Sequence, residues 1–257
     1  MSVVVDKENS YEYIHILLDI GESMLCSGAE INRIEEALLK LSASYKLKEI
    51  NVFVIPSLIT LTIRTDDGFE LTQSRRILSR SITTNLYRLE KLNNIVHQCR
   101  QKTVSLRELK EYVNVSNKPV ALLQFVFGSI LAAFSFALFF GASISEAWIS
   151  GLVAVIICFF QWKISSVLPN RIIVTFLCSF AVGVTVLWFA KAFPSLNSGR
   201  IMIGDIMLLI PGVAVTISVR DIILGDTISG AIRLIESLFI AGGLAVGFWF
   251  ALFLFGG

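Results

Sequence analysis

Apolar residues are distributed along this chain in two ways. Beyond about residue 120 they form long unbroken runs, whereas before it they recur at short periods among charged residues. Five runs, approximately 120–141, 147–163, 172–193, 201–219 and 232–255, are long enough to cross roughly 30 Å of hydrocarbon as helices. The second is the shortest, and the fourth contains Asp205 and the pair Pro211-Gly212. Small residues recur four apart in the last run (Gly243 and Gly247, flanked by Ser237, Ala241 and Ala245). The first run has the same spacing at Gly128-Ala132 and Ser129-Ala133. Such stripes let helix backbones approach closely, within one subunit or against a partner.

Ahead of these runs, Leu17, Leu18, Met24, Leu25, Ile31, Ile34, Leu38 and Leu41 are spaced as on two amphipathic helices over 11–46, broken near Ser27-Gly28. Residues 50–63 are β-rich and interrupted at Pro56, and the Asp67-Gly68 turn into Phe69–Thr72 predicts a small hairpin. A long helix is expected near 81–101, and Ser105 with Glu108 forms a capping box for a last short one. The expected fold is a mainly α membrane protein. Residues 1–118 form a small α+β cytoplasmic domain and residues 119–257 a five-helix transmembrane domain.

Composition agrees: 54% of residues are hydrophobic and 16% charged, with a mean hydropathy of +0.72, well above soluble domains. Residues 1–118 hold 16 of the 22 Lys/Arg and 15 of the 20 Asp/Glu, so each part of the chain is close to neutral. That balance gives no argument for nucleic acid. No secretory leader is apparent, which places the N-terminal domain in the cytoplasm. With that end inside, Lys118, Lys163, Arg171, Arg220 and Arg233 fall on the inner side and only Lys191 and Arg200 on the outer. The bias predicts a C-terminus outside and an odd number of spans. Cys26, Cys99, Cys158 and Cys178 show no bridging or ligand spacing and are expected as packed small hydrophobes. His15 and His97 have no ligand-spaced company, so neither a metal nor a cofactor is expected. Ser57, Thr60 and Thr62 lack an activating base by spacing, and Arg75, Arg76 and Arg80 are expected as a solvated face.

The densest group of unusual residues runs from Asp205 to Glu236. An ionisable group at a span centre costs about 2.5–3.5 kcal/mol on insertion scales, so such groups mark pathways. Pro211 removes a backbone donor and Gly212 loosens the next turn. Two outcomes stand open: a helix broken near the bilayer centre, exposing backbone groups to a polar solute, or a simple kink. Gly225-Asp226 predicts a turn, with Gly closing the fourth helix and Asp capping the fifth. Across that hairpin Asp221 and Arg233 are placed to pair, with Arg220 and Glu236 joining a network able to hold an inner mouth shut. For Asp205 the expected role is a helix N-terminal carboxylate favoured by the dipole, with a proton-titrating group as the alternative. Arg220 with Arg233 would suit a dicarboxylate, and Asp221 with Arg233 an amino acid.

Residues 207–236, MLLIPGVAVTISVRDIILGDTISGAIRLIE, resemble the signature of the threonine/serine exporter (ThrE) family. The matching elements are Pro211-Gly212, Thr216, Arg220-Asp221, Gly225-Asp226, Ser229-Gly230, Arg233 and Glu236. MLCSGAEINRIE (24–35), the strand run with Pro56, the Asp67-Gly68 turn and Arg75-Arg76 agree with it as well. Ala214 departs from the pattern, where a second proline is expected. The resemblance implies the split, YjjP-type subunit, working with a separate YjjB-type membrane protein in a bacterial plasma membrane. The family is associated with proton-motive export of threonine and serine, and the split pair with succinate. A higher oligomer is compatible with it. The competing hypothesis is a membrane-anchored regulatory or scaffold protein whose soluble domain binds a cytoplasmic ligand. No nucleophile-and-base pair supports an enzyme.

Overall fold

In the computed structural model of the chain, the periodicity of residues 11–46 becomes α1 (Lys7–Cys26) and α2 (Ile31–Ser44). They part at Gly28, whose φ of 87° lies where side chains other than glycine are strained. The structure describes residues 7–45, 49–65, 68–78, 85–101, 104, 106–115, 121–168 and 170–256. Asp66, Asp67, Arg80, Ser105, Lys118 and the expected domain boundary fall outside these. Contacts divide the chain into two units, Met1–Lys118 with Val213–Leu234, and Pro119–Gly212 with Ile235–Gly257.

In the first unit the β-rich run is broken at Pro56-Ser57 into β1 (Glu49–Ile55) and β2 (Leu58–Arg64), and β3 (Glu70–Arg76) follows. The order is β1-β2-β3, antiparallel, with Ile55 opposite Leu58 and Arg64 opposite Glu70. Alternation sets the two faces apart. Ile59, Leu61 and Ile63 are buried in one core with Leu17, Leu18, Leu25, Ile34, Leu38 and Leu41 of the helical pair. On the opposite face Thr60 and Ser74 hydroxyls meet at 3.0 Å and Thr62 and Thr72 at 2.8 Å. The strand threonines therefore form a cross-strand ladder.

Helices α3 (Leu86–Gln101) and α4 (Leu106–Val115) add Leu92, Cys99 and Leu109 to that core. Tyr45 closes it, its hydroxyl donating to the Val104 carbonyl at 2.6 Å. Arg75 departs from the solvated-face expectation, because β3 presents it to α1, where it pairs with Asp19 and with Glu22 at 3.1 Å.

The second unit holds α5 (Leu122–Phe139), α6 (Ile144–Val167), α7 (Arg171–Ala192) and α8 (Ser198–Leu209). Helix α9 (Gly212–Ile223) and the first turns of α10 (Thr227–Phe255) belong almost wholly to the first unit, and the rest of α10 to the second. Among the described residues four helices, α5, α6, α7 and α10, are long and apolar enough to cross a membrane. Counting the bent pair α8–α9 as one span makes five. Large apolar side chains such as Leu123, Trp148, Leu152, Trp188, Trp249 and Phe253 are exposed on them, as lipid-facing positions are.

Helix α6 is longer than the expected 147–163. Ser143 and Glu146 start it with a reciprocal capping box, and a π-helical turn over Phe160–Ile164 carries it past Lys163. The small-residue stripe of the last run serves packing within the subunit. A side-chain carbon at Gly243 would meet the Ile172 carbonyl at 3.1 Å, and one at Gly247 the Phe176 carbonyl at 2.6 Å, both on α7. All four cysteines are buried and unbridged.

Candidate functional site

The fourth apolar run is broken. Before a proline the backbone is pushed out of the helical region, and Ile210 has φ −64° and ψ 129°. Pro211 offers no N–H to continue the ladder, so α8 stops at Leu209 and α9 starts at Gly212, bent by 50° across the break. Carbonyls of the last turn of α8 are thereby left without successors in the helical ladder. Nothing lies within 4 Å of a side-chain carbon built on Gly212, so the interruption rests on the proline.

Helix α9 closes on Gly225, at φ 102°, with the paired bonds of a Schellman turn. Asp226 N–H donates to the Asp221 carbonyl at 2.9 Å and Gly225 N–H to that of Ile222 at 3.2 Å. Asp226 then starts α10 through its backbone, its carbonyl accepting from Gly230 N–H at 2.9 Å. Its carboxylate Oδ2 is buried with no hydrogen-bond partner among the described residues. Gly230 lets the two helices touch, since a side-chain carbon there would fall 2.6 Å from the Ser218 carbonyl.

The hairpin seats its charges on the turn between α1 and α2. Arg233, 11% exposed, donates from Nη1 to Asp221 Oδ2 at 3.1 Å and from Nη2 to the Ala29 carbonyl at 3.1 Å. Asp221, fully buried, accepts the Ile31 N–H on Oδ1 at 3.4 Å. Ile31 is the first residue of α2, and its N-cap Glu30 makes no side-chain cap. Asp221 thus meets an orphan donor at the positive end of a helix. Glu30 instead takes Arg220 Nη1 at 2.6 Å. The Ser229 hydroxyl reaches the Val54 carbonyl at 3.5 Å. Glu35, on α2, is held above the usual carboxylate range, first by burial and then by the nearby Asp226 charge, against a bond from the Val54 amide.

Arg220, Asp221, Asp226 and Arg233 are therefore gathered in one unit, while Thr216 lies on the exposed side of α9. Asp205, Pro211, Gly212 and Glu236 belong to the other unit. Both arginines expected to meet solute are already engaged by protein carboxylates.

Asp205 is the eighth residue of α8 and 0% exposed. The dipole effect fades within the first turn, so the N-terminal reading of this carboxylate is corrected. Asn197 caps the helix instead, accepting from Arg200 N–H at 3.2 Å. Asp205 Oδ1 accepts the Ser150 hydroxyl of α6 at 3.0 Å, and Oδ2 is buried without a partner among the described residues. Arg200 turns elsewhere, to Glu146 at 3.9 Å, and Glu146 also accepts the Asn197 N–H at 2.8 Å.

Sequence reasoning missed Glu30, Glu35, Ser150 and Glu146 as site residues. Glu146 carried a local signal, the S-x-x-E spacing from Ser143, and Glu30 and Glu35 lay within the 24–35 motif.

Over residues 15–255 the chain matches the ThrE family, described as "Putative threonine/serine exporter". No curated protein and no solved structure matches it significantly.

Proposed function

The chain belongs to the ThrE family of threonine/serine exporters, and from that premise we propose that it is one subunit of a secondary exporter for small polar metabolites. Its solutes are threonine and serine, or a dicarboxylate such as succinate, moved out across a bacterial plasma membrane at the expense of the proton motive force. A separate YjjB-type membrane subunit completes the pathway, and the N-terminal domain is cytoplasmic with the C-terminus outside. The observation that carries this reading is the interrupted α8–α9 span. Half-helices with free backbone ends are how membrane carriers present polar groups to a solute without exposing backbone to lipid.

The ion-pair hairpin supports the same reading as an inner gate. Its arginines are satisfied in this conformation, so a charged solute gains access to them only when Arg220 leaves Glu30 or Arg233 leaves Asp221. Helix α10, of 29 residues, is about 43 Å long at 1.5 Å per residue. It therefore exceeds roughly 30 Å of hydrocarbon, and its first turns, with Arg233, can stand at the inner surface.

The test is efflux of labelled threonine, serine and succinate from loaded cells lacking their own exporters. Cells producing this chain with its companion should export at least one solute, and an uncoupler should collapse that export. Export by neither, or export indifferent to the uncoupler, would remove the reading.

A further inference from the structure

Asp205 is buried in the bundle of α5, α6, α7 and α8, without a counter-charge among the described residues. We propose that Asp205 Oδ2 is the site that takes up and releases the coupling proton. The inference rests on the exporter reading above and names the group within it. The bond formed is Oδ2–H, from a hydronium ion that leaves as water; the bond is broken again to water on the other side of the membrane.

The geometry assigns each oxygen a task. Ser150 has one hydroxyl hydrogen and two acceptors, Asp205 Oδ1 at 3.0 Å and the Ala133 carbonyl at 3.4 Å. It can turn to Oδ1 when the carboxylate is ionised and to the carbonyl when it is neutral. Oδ2 is left for the proton. Gly204 closes the site, bringing α8 so near α5 and α6 that a side-chain carbon there would lie 2.8 Å from Ala137 and 2.7 Å from the Ser150 hydroxyl.

The neighbours leave that role uncontested. Helix α5 carries no titratable residue. On α6 the titratable groups are Cys158, Lys163 in the exposed π-helical turn, and Glu146, which is held by Ser143, Asn197 and Arg200. On α7 they are the buried Cys178, with Arg171 and Lys191 at that helix's two ends. One carboxylate, one hydroxyl and one carbonyl are too few oxygens to replace the hydration shell of a metal cation. Burial of an unpaired carboxylate is costly enough that it neutralises by binding a proton.

Vesicles from cells producing the full chain with its companion provide the test, with labelled threonine and labelled succinate as probes and an internal pH dye. Asp205→Asn should keep exchange of labelled for unlabelled solute, which needs no net proton movement, and lose solute-driven proton flux. Proton flux persisting in that variant, or wild-type coupling that follows sodium instead, would overturn the proposal. Wild-type vesicles that exchange neither probe would overturn the exporter reading itself, and this inference with it. Should the variant not fold, the wild-type protein still decides. Dicyclohexylcarbodiimide, which modifies protonated carboxyls in apolar surroundings, should attach to Asp205 in acid and not in alkali. No adduct at either pH would overturn the assignment.

Discussion

The carboxylate of Asp221 accepts the backbone amide of Ile31, a residue 190 positions earlier in the chain, and so completes the N-terminus of α2. The same carboxylate holds Arg233 through its other oxygen at 3.1 Å. Two sequence motifs that share no local pattern are thus joined by one side chain.

Removing that side chain takes the carboxylate from a mostly buried Arg233 and leaves the α2 donor without its acceptor. Asp221→Ala should destabilise the protein by about 3–5 kcal/mol, the range for breaking a buried pair. Asp221→Asn keeps an oxygen for Ile31 and should cost less. Thermal unfolding of both variants in detergent checks the ranking, and equal losses would contradict it.

Arg220 and Glu30 form the outer pair, with the arginine side chain 61% exposed. An exposed pair of this kind contributes about 0–1 kcal/mol. Arg220→Gln should therefore leave the melting temperature nearly unchanged while altering transport rate, if the pair gates access. The charge-reversed double variant Glu30→Arg with Arg220→Glu should restore much of the rate. A large stability loss in Arg220→Gln alone would argue for a structural role.

Two glycines of the signature should respond oppositely. Gly230→Ala drives a carbon into the Ser218 carbonyl at 2.6 Å, and overpacking of that sort costs about 1–3 kcal/mol. Gly212→Ala meets nothing within 4 Å and should be close to neutral in stability. Unfolding midpoints of the two variants, measured side by side, test the contrast.

Glu35 supplies a pH dependence. Its proton affinity in the folded state is raised, by burial foremost and by Asp226 next. The folded state then holds this proton more tightly than the unfolded one. The associated stability is complete below the ordinary carboxylate value of 4.5 and is lost as pH rises through the folded value. Glu35→Gln should raise the melting temperature at neutral pH and bring no gain in acid below that value. A gain of equal size at both would remove the assignment.

What the sequence disclosed follows from how far each cause reaches along the chain. The break at Pro211 was legible because a missing N–H acts within one turn. The turns at Gly28 and Gly225 were legible for a similar reason, and so was the pairing of Asp221 with Arg233 across a tight hairpin. The N-terminal placement of Asp205 failed because it depends on where α8 begins, which Asn197 decides, and its partner Ser150 is a lone hydroxyl in another span. Glu30 and Ile31 were visible within a motif, but their partners lie in a segment that no spacing rule connects to them. Arg75 was assigned to solvent because a strand's alternation tells which residues share a face and not which helix covers it.

The tie between Ile31 and Asp221 also has a consequence for biogenesis. At about 5–20 residues per second, the 190 residues between them take the ribosome roughly 10–40 s to make. Throughout that interval α2 lacks the acceptor for its first amide, awaiting an acid that has still to be synthesised and threaded into place. Maturation of the first unit is for this reason yoked to synthesis of the later helices, and a nascent chain stalled before them would expose an incomplete fold to chaperones and proteases.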